Sequence, residues 1–467
     1  MTTDTKTDKP LPYANKGDLT TGSIPRHLIR LSLPMVWGIF AIISFQLVDT
    51  FYIAMLGTEE LAAITFTFPV TFTIFSVILG FGIAMSSVVS RQIGQGNQDT
   101  VKRITTHGLI LAFITGVTLT ALGLMFMDAI FVAMGADEVM LDMIDDYMII
   151  WFFGAVCINL PMVGNAAIRA GGDSMLPAMI MTIAAVVNII LDPILIFGLL
   201  GFPRLELQGA AIATVFANGC AMLAGLYVLY FKKKMICRDG LHLGLLKDSA
   251  KRLVVIALPA GLTGLLTPLT NAVIISLLAG HGALAVAAFG AASRLEAFAF
   301  TVIMAVATGM APIIGQNWGA GRFDRVNEVL KTALLFAFGW SVFVGLVFLL
   351  LAEQFGALFS KDNAPEFISV FALYFSIVAL TYAPGNLVQG WGSAFNAMGM
   401  PKRSFMMVIV KLIVLQIPAA LIGNHYFGIV GIFGAMAATN VVAGFGFHLL
   451  NRRICIHKER LNPPPKT

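Results

Sequence analysis

Charge is what this chain of 467 residues has least of. Only 12% of its residues are Asp, Glu, Lys or Arg, against 58% that are hydrophobic. A soluble domain carries about twice that charged fraction. The four cysteines, Cys157, Cys220, Cys237 and Cys455, fall in no paired spacing, so neither a disulfide framework nor a zinc site is indicated. There is no GxxxxGK[ST] phosphate loop, and no polar stretch is long enough for a nucleotide-binding domain, which argues against a primary pump. Residues 1–24 are polar and lack an apolar run, so no cleaved signal peptide is expected. The seven histidines lie mostly at the ends of hydrophobic runs or between them, with no convergent nucleophile or base. Neither an enzyme nor a resident cofactor is expected.

What the chain has in abundance is long apolar runs, with a mean hydropathy of +0.86. Each run is long enough to cross roughly 30 Å of hydrocarbon as a helix, and a helix is required because lipid cannot satisfy a bare backbone. Twelve spans fit between residues 27 and 450, so the expected fold is an all-α polytopic membrane protein. Of the 30 Lys and Arg, 26 fall on one side of that arrangement. Excess positive charge marks the cytoplasmic face, which places both termini inside a cell inner membrane. The pI of about 9.0 then reflects topology and contact with anionic lipid headgroups, and nucleic-acid binding is not needed to explain it.

The two halves repeat at an offset of 225 residues. "RQIGQGNQDTVKR" (91–103) overlies "QNWGAGRFDRVNE" (316–328), pairing Gly94 with Gly319 and Gly96 with Gly321; Pro34 pairs with Pro259, and Thr214 with Thr439. "AAIRAGGD" (166–173) is echoed by "SAFNAMGM" (393–400) at an offset of 227. Six spans per repeat return the chain to the same side, so the pseudo-twofold axis runs along the membrane normal. The expected organisation is a cytoplasmic segment 1–26, an amino-terminal lobe 27–231, a basic linker 232–252, a carboxyl-terminal lobe 253–450 and a cytoplasmic tail 451–467. Two lobes that rock about a central cavity are the architecture of a secondary transporter.

Three acids fall well inside spans: Asp49, Asp192 and Glu296. A carboxylate at mid-membrane costs roughly 2.5–3.5 kcal/mol on insertion scales, so each calls for a partner or a function. Glu296 has Arg294 and Lys411 within reach of its lobe, and the expectations are a structural ion pair or a substrate-facing role. No Lys or Arg is assigned to the interior of the amino-terminal spans, which leaves a proton, a bound cation or water for Asp49 and Asp192. Asn188 stands one turn before Asp192 on the same face. Pro193 frees the Ile189 carbonyl, a further oxygen. Thr214, from the next span, either completes an oxygen-rich set suited to Na⁺ or serves helix packing in "GAAIAT". Pro34 kinks the first span, and Gln46 and Tyr52 flank Asp49 on one face. Asp49 and Asp192 have isoleucines, Ile274 and Ile417, at their repeat positions, so cation chemistry is expected in the first lobe alone.

The order and duplication of "LSLPM", "VDTFYIAMLG", "AAIRAGGD", "NIILDP" and the paired "GQGN"/"GAGR" loops resemble the multidrug and toxic compound extrusion (MATE) transporters over residues 24–455. The resemblance is strongest to the DinF-like branch, through Asp49, Asn188, Asp192 and Pro34. It implies antiport of drugs against H⁺ or Na⁺, with Thr214 as a fourth member of the cation site. The acids of the seventh and tenth helices that mark the NorM-like branch are missing here. The resulting expectation is an exporter of amphipathic, often cationic compounds, working as a monomer, with a cavity lined by Phe and Met. The alternative is export of a defined metabolite or lipid precursor by the same machinery.

Overall fold

The structure is a computed structural model and describes residues 17–237, 243–360 and 364–461. Residues 1–16 of the amino-terminal segment, 238–242 of the linker and 462–467 of the tail lie outside it. The described residues form helices and no strand. In the first half these are α1 (Ile24–Ala54), α2 (Thr58–Gly94), α3 (Gln98–Ala133), α4 (Glu138–Phe153), α5 (Ala155–Ala170), α6 (Met175–Phe197) and α7 (Glu206–Tyr227). The second half has α8 (Leu243–Ala279), α9 (Ala283–Gly319), α10 (Phe323–Leu350), α11 (Ala352–Phe359), α12 (Pro365–Val378), α13 (Tyr382–Ala397), α14 (Pro401–Ile409) and α15 (Ile417–Leu461). The linker is shorter than expected, because α8 takes its second half, and α15 runs on into the tail.

Among the described residues, ten helices are long and apolar enough to cross a membrane, and α4 with α5, bent by 44° at Gly154, makes an eleventh. The stretch Pro401–Arg452 counts there as one helix of 52 residues, but that would be about 78 Å long, more than twice the hydrocarbon thickness. It is in fact two antiparallel spans. Gly428 has φ 58° and ψ −136°, and the backbones of Gly423 and Gly431, eight residues apart, touch: a Cβ on Gly423 would lie 2.3 Å from the Gly431 carbonyl oxygen. The total is twelve spans.

The duplication is visible in backbone geometry. The α2–α3 and α9–α10 turns both place a glycine in the left-handed region, Gly96 at φ 74° and Gly321 at φ 73°. The turns after α5 and α13 repeat this with Gly172 at 80° and Gly399 at 78°. A side chain would strain each of these positions.

The lobes exchange packing surface at their first helices. Leu28 and Leu31 of α1 are buried in a carboxyl-lobe cluster with Ile314, Val329 and Trp391. Reciprocally, Leu253 and Ile256 of α8 join an amino-lobe cluster with Val88, Ile104 and Ile168. The segment before α1 spans both lobes. Leu19 is fully buried, and its N–H donates to Gln316 Oε1 at 3.0 Å. Gln316 Nε2 donates to the Ala170 carbonyl at 2.8 Å, and Asn317 Nδ2 to that of Leu19 at 3.0 Å. The lobes are therefore pinned together at the face where α1 begins. Elsewhere the spans present exposed Leu, Phe, Ile and Val side chains around the molecule, such as Leu47, Phe126, Phe216 and Leu346, as a lipid-facing surface requires.

Candidate coupling site and interlobe cavity

Helices α1 and α6 pack side by side, and α6 lies closely on α7, where a Cβ on Gly209 would fall 2.7 Å from the Leu195 carbonyl. This close approach assembles the amino-lobe site. The carboxyl groups of Asp49 and Asp192 meet within hydrogen-bonding reach. Asn188 Nδ2 donates to Asp192 Oδ1 at 3.2 Å and to Thr214 Oγ1 at 3.3 Å. Asn188 and Asp192 are 2% and 0% exposed. Asp49 Oδ1, Asn188 Oδ1 and Asp192 Oδ2 are buried with no hydrogen-bond partner among the described residues. Three such oxygens beside two carboxyls are a hard-oxygen set of the kind a proton or a small hard cation requires, and no salt bridge to the pair is present among the described residues.

Other predicted residues fall elsewhere. Pro34 lies within α1, which runs unbroken through it. Gln46 is exposed. Tyr52 stacks edge-on against Phe197 at 6.1 Å, closing the end of α6 rather than joining the acids. Tyr147 of α4, which nothing in the sequence singled out, is buried within electrostatic reach of both Asp49 and Asp192. Its signal was weak, because a tyrosine in "DDYMIIWFF" reads as an interfacial aromatic.

The expected Glu296 ion pair is not formed. Glu296 Oε1 accepts hydrogen bonds from the hydroxyls of Tyr374, at 2.6 Å, and Tyr382. Neither Arg294 nor Lys411 pairs with it among the described residues, and Arg294 is exposed. The two tyrosines sit on α12 and α13 and come within reach because α12 ends in a 3₁₀ turn, Ala379–Thr381, that re-aims the chain.

A cavity of about 550 Å³ lies between the lobes, walled by α2 and α5 on one side and by α8, α9, α13 and α14 on the other. Its lining differs from the expected one. Among the described residues it includes Met162 and Met304 but no phenylalanine, because the aromatic side chains cluster inside the carboxyl lobe or face outward. Among the described residues the lining holds two cations, Arg169 and Lys411, and no carboxylate. Arg169 stands in the last turn of α5.

The sequence model of the MatE family matches residues 34–194 and again residues 259–422, with the two matches starting 225 residues apart. The chain belongs to the MatE family. Among curated MATE-related proteins it is 40% identical over 437 residues to an FAD transporter of Shewanella oneidensis, covering 94% of this chain and 96% of that one. It is 26% identical to the multidrug export protein MepA of Staphylococcus saprophyticus, covering 97% and 99%. The fold superposes on a crystal structure of the Vibrio cholerae MATE transporter VcmN in its bent form, with a TM-score of 0.88, 28% identity and coverage of 95% and 99%. MATE proteins are membrane transporters with twelve spans in two lobes, the architecture described above.

Proposed function

We propose that this MATE transporter is a cation-coupled exporter of a flavin dinucleotide such as FAD, moved by alternating access through the interlobe cavity. The lobes are residues 27–231 and 253–450, both termini face the cytoplasm, and one chain surrounded by lipid suffices. The observation that carries the coupling is the approach of Asp49 to Asp192, with no cationic side chain paired to either among the described residues. Two carboxylates held together out of water repel strongly, so the pair takes up H⁺ or Na⁺ from one side and yields it to the other. Asn188 and Thr214 orient that pair. Cation capture on one side and substrate capture on the other each stabilise one arrangement of the lobes, which makes the exchange obligatory.

The substrate reading is supported by the similarity to an FAD transporter over nearly the whole length and by a cavity lined with cations. The alternative, export of amphipathic cations, is supported by the similarity to MepA. The charge of the cavity opposes it, since a cationic drug would meet two like charges.

The test is uptake into inverted membrane vesicles containing the protein. Accumulation of FAD on energisation, with no accumulation of a cationic dye, is the expected result. Accumulation of the dye and not of FAD would replace the metabolite reading with the drug reading.

A further inference from the structure

We infer that Arg169 and Lys411 form a split clamp for the phosphate groups of the exported molecule, with one cation supplied by each lobe. This rests on the reading above that the interlobe cavity receives the substrate.

Both side chains are half-buried in the cavity wall, and neither has an ion pair or a hydrogen bond among the described residues. Four neutral hydroxyls of the lining are already engaged: Thr263 donates to the Pro259 carbonyl, Thr308 to that of Met304, Ser393 to that of Ala307 and Ser87 to that of Asn396. The charged donors of the lining, unpaired among the described residues, are the guanidinium and the ammonium. A cation withdrawn from water without a counter-ion is unfavourable, and an anionic ligand removes that cost.

The duplicated segment marks the same place. Arg169 and Asn396 occupy matching positions at the 227-residue offset, and both line the cavity. Asn396 keeps a buried side-chain oxygen without a hydrogen-bond partner among the described residues. The amino lobe has thus put a fixed positive charge where the carboxyl lobe has an amide. Lys411 supplies the second charge from a π-helical stretch, Val410–Gln416, a widened winding common at functional positions.

The two residue types suit a phosphate pair. Arginine forks onto two phosphate oxygens, and lysine acts as a compact point charge. Because Arg169 belongs to α5 and Lys411 follows α14, the cavity lining sets like charges on opposite lobes. A pyrophosphate between them neutralises both and draws the lobes together. Substrate charge then acts on the lobe equilibrium as well as on recognition.

The experiment is equilibrium binding to the purified full-length protein, using FAD, uncharged riboflavin and a cationic dye as probes. Wild type is compared with Arg169→Gln, Lys411→Gln and Lys411→Arg. FAD binding is expected to weaken about ten-fold or more in each Gln variant. Lys411→Arg should retain it, riboflavin binding should be weak and equal in all four proteins, and only FAD binding should fall with added salt. Gln variants that bind FAD as wild type does would overturn the clamp and leave the exporter reading standing. Wild type that binds the dye and not FAD would overturn both.

Discussion

Gly94 and Gly319, 225 residues apart, each press on the other's helix. A Cβ on Gly94 would stand 1.9 Å from the Gln316 carbonyl oxygen, and one on Gly319 would stand 2.1 Å from that of Arg91. Arg91 and Gln316 are themselves repeat mates, so α2 and α9 cross on the pseudo-twofold axis. The crossing closes because neither glycine carries a side chain.

Gly94→Ala and Gly319→Ala are therefore expected to hold the lobes apart at this face. Neighbouring backbone must shift, at a cost of about 1–3 kcal/mol. Thermal unfolding in detergent should show a lower midpoint, and transport by either variant should fall well below wild type. Gly434, which has open space around it, is the control: Gly434→Ala should leave both unchanged.

Thr214 admits two roles, packing and coupling, and Thr214→Val separates them. Valine keeps the shape but removes the oxygen that accepts from Asn188 at 3.3 Å. Transport is expected to fall about three- to ten-fold, the effect of one lost buried hydrogen bond, with little change in stability. Wild-type transport by Thr214→Val would leave packing as its only role.

Glu296→Ala would strip the acceptor from the hydroxyls of both Tyr374 and Tyr382. Each orphaned buried hydroxyl costs about 1–3 kcal/mol, so the unfolding midpoint should drop by several degrees. Glu296→Gln keeps an acceptor oxygen and should lose less. Cation-driven transport by the Gln variant should persist, because the coupling acids are in the other lobe.

Asp173, in the turn between α5 and α6, is tied to Lys233 at 2.7 Å. Burial alone would raise its pKa, but the hydrogen bond and charge of Lys233 and the N–H groups of Leu176 and Met175 outweigh it and hold the carboxyl below its ordinary 3.8. A depressed folded-state pKa contributes stability above the unfolded value, and that contribution disappears as pH falls through the folded one. Asp173→Asn should therefore lower stability by about 1 kcal/mol at pH 7, since both side chains are partly exposed. The difference from wild type should vanish in acid below pH 3.8, as measured by unfolding midpoints across that range.

Much of this was legible in the sequence because the bilayer makes simple demands. Span length, the 225-residue repeat and the paired glycines each follow from helix geometry or backbone clash, and they recur in the structure at the same residues. Asn188 and Asp192 were readable as neighbours because four residues make one helical turn. The meeting of Asp49 with Asp192 depends on how α1 lies on α6, which no local pattern encodes. Glu296 was misassigned because charge complementarity along the chain pointed to Arg294 and Lys411. The 3₁₀ turn after α12 brings two tyrosine hydroxyls there instead. Arg169 was not legible as a cavity residue, since a cation at a helix end reads as interfacial until the facing lobe is in place.

FAD flux in proteoliposomes, driven by a pH gradient and by a sodium gradient imposed separately, in wild type and Asp192→Asn, decides whether the acid pair couples transport. One of the two gradients is expected to drive FAD through wild type. Asp192→Asn, inserted and binding FAD normally, should move none above background under either. FAD transport by Asp192→Asn at the wild-type rate under the same gradient would contradict it.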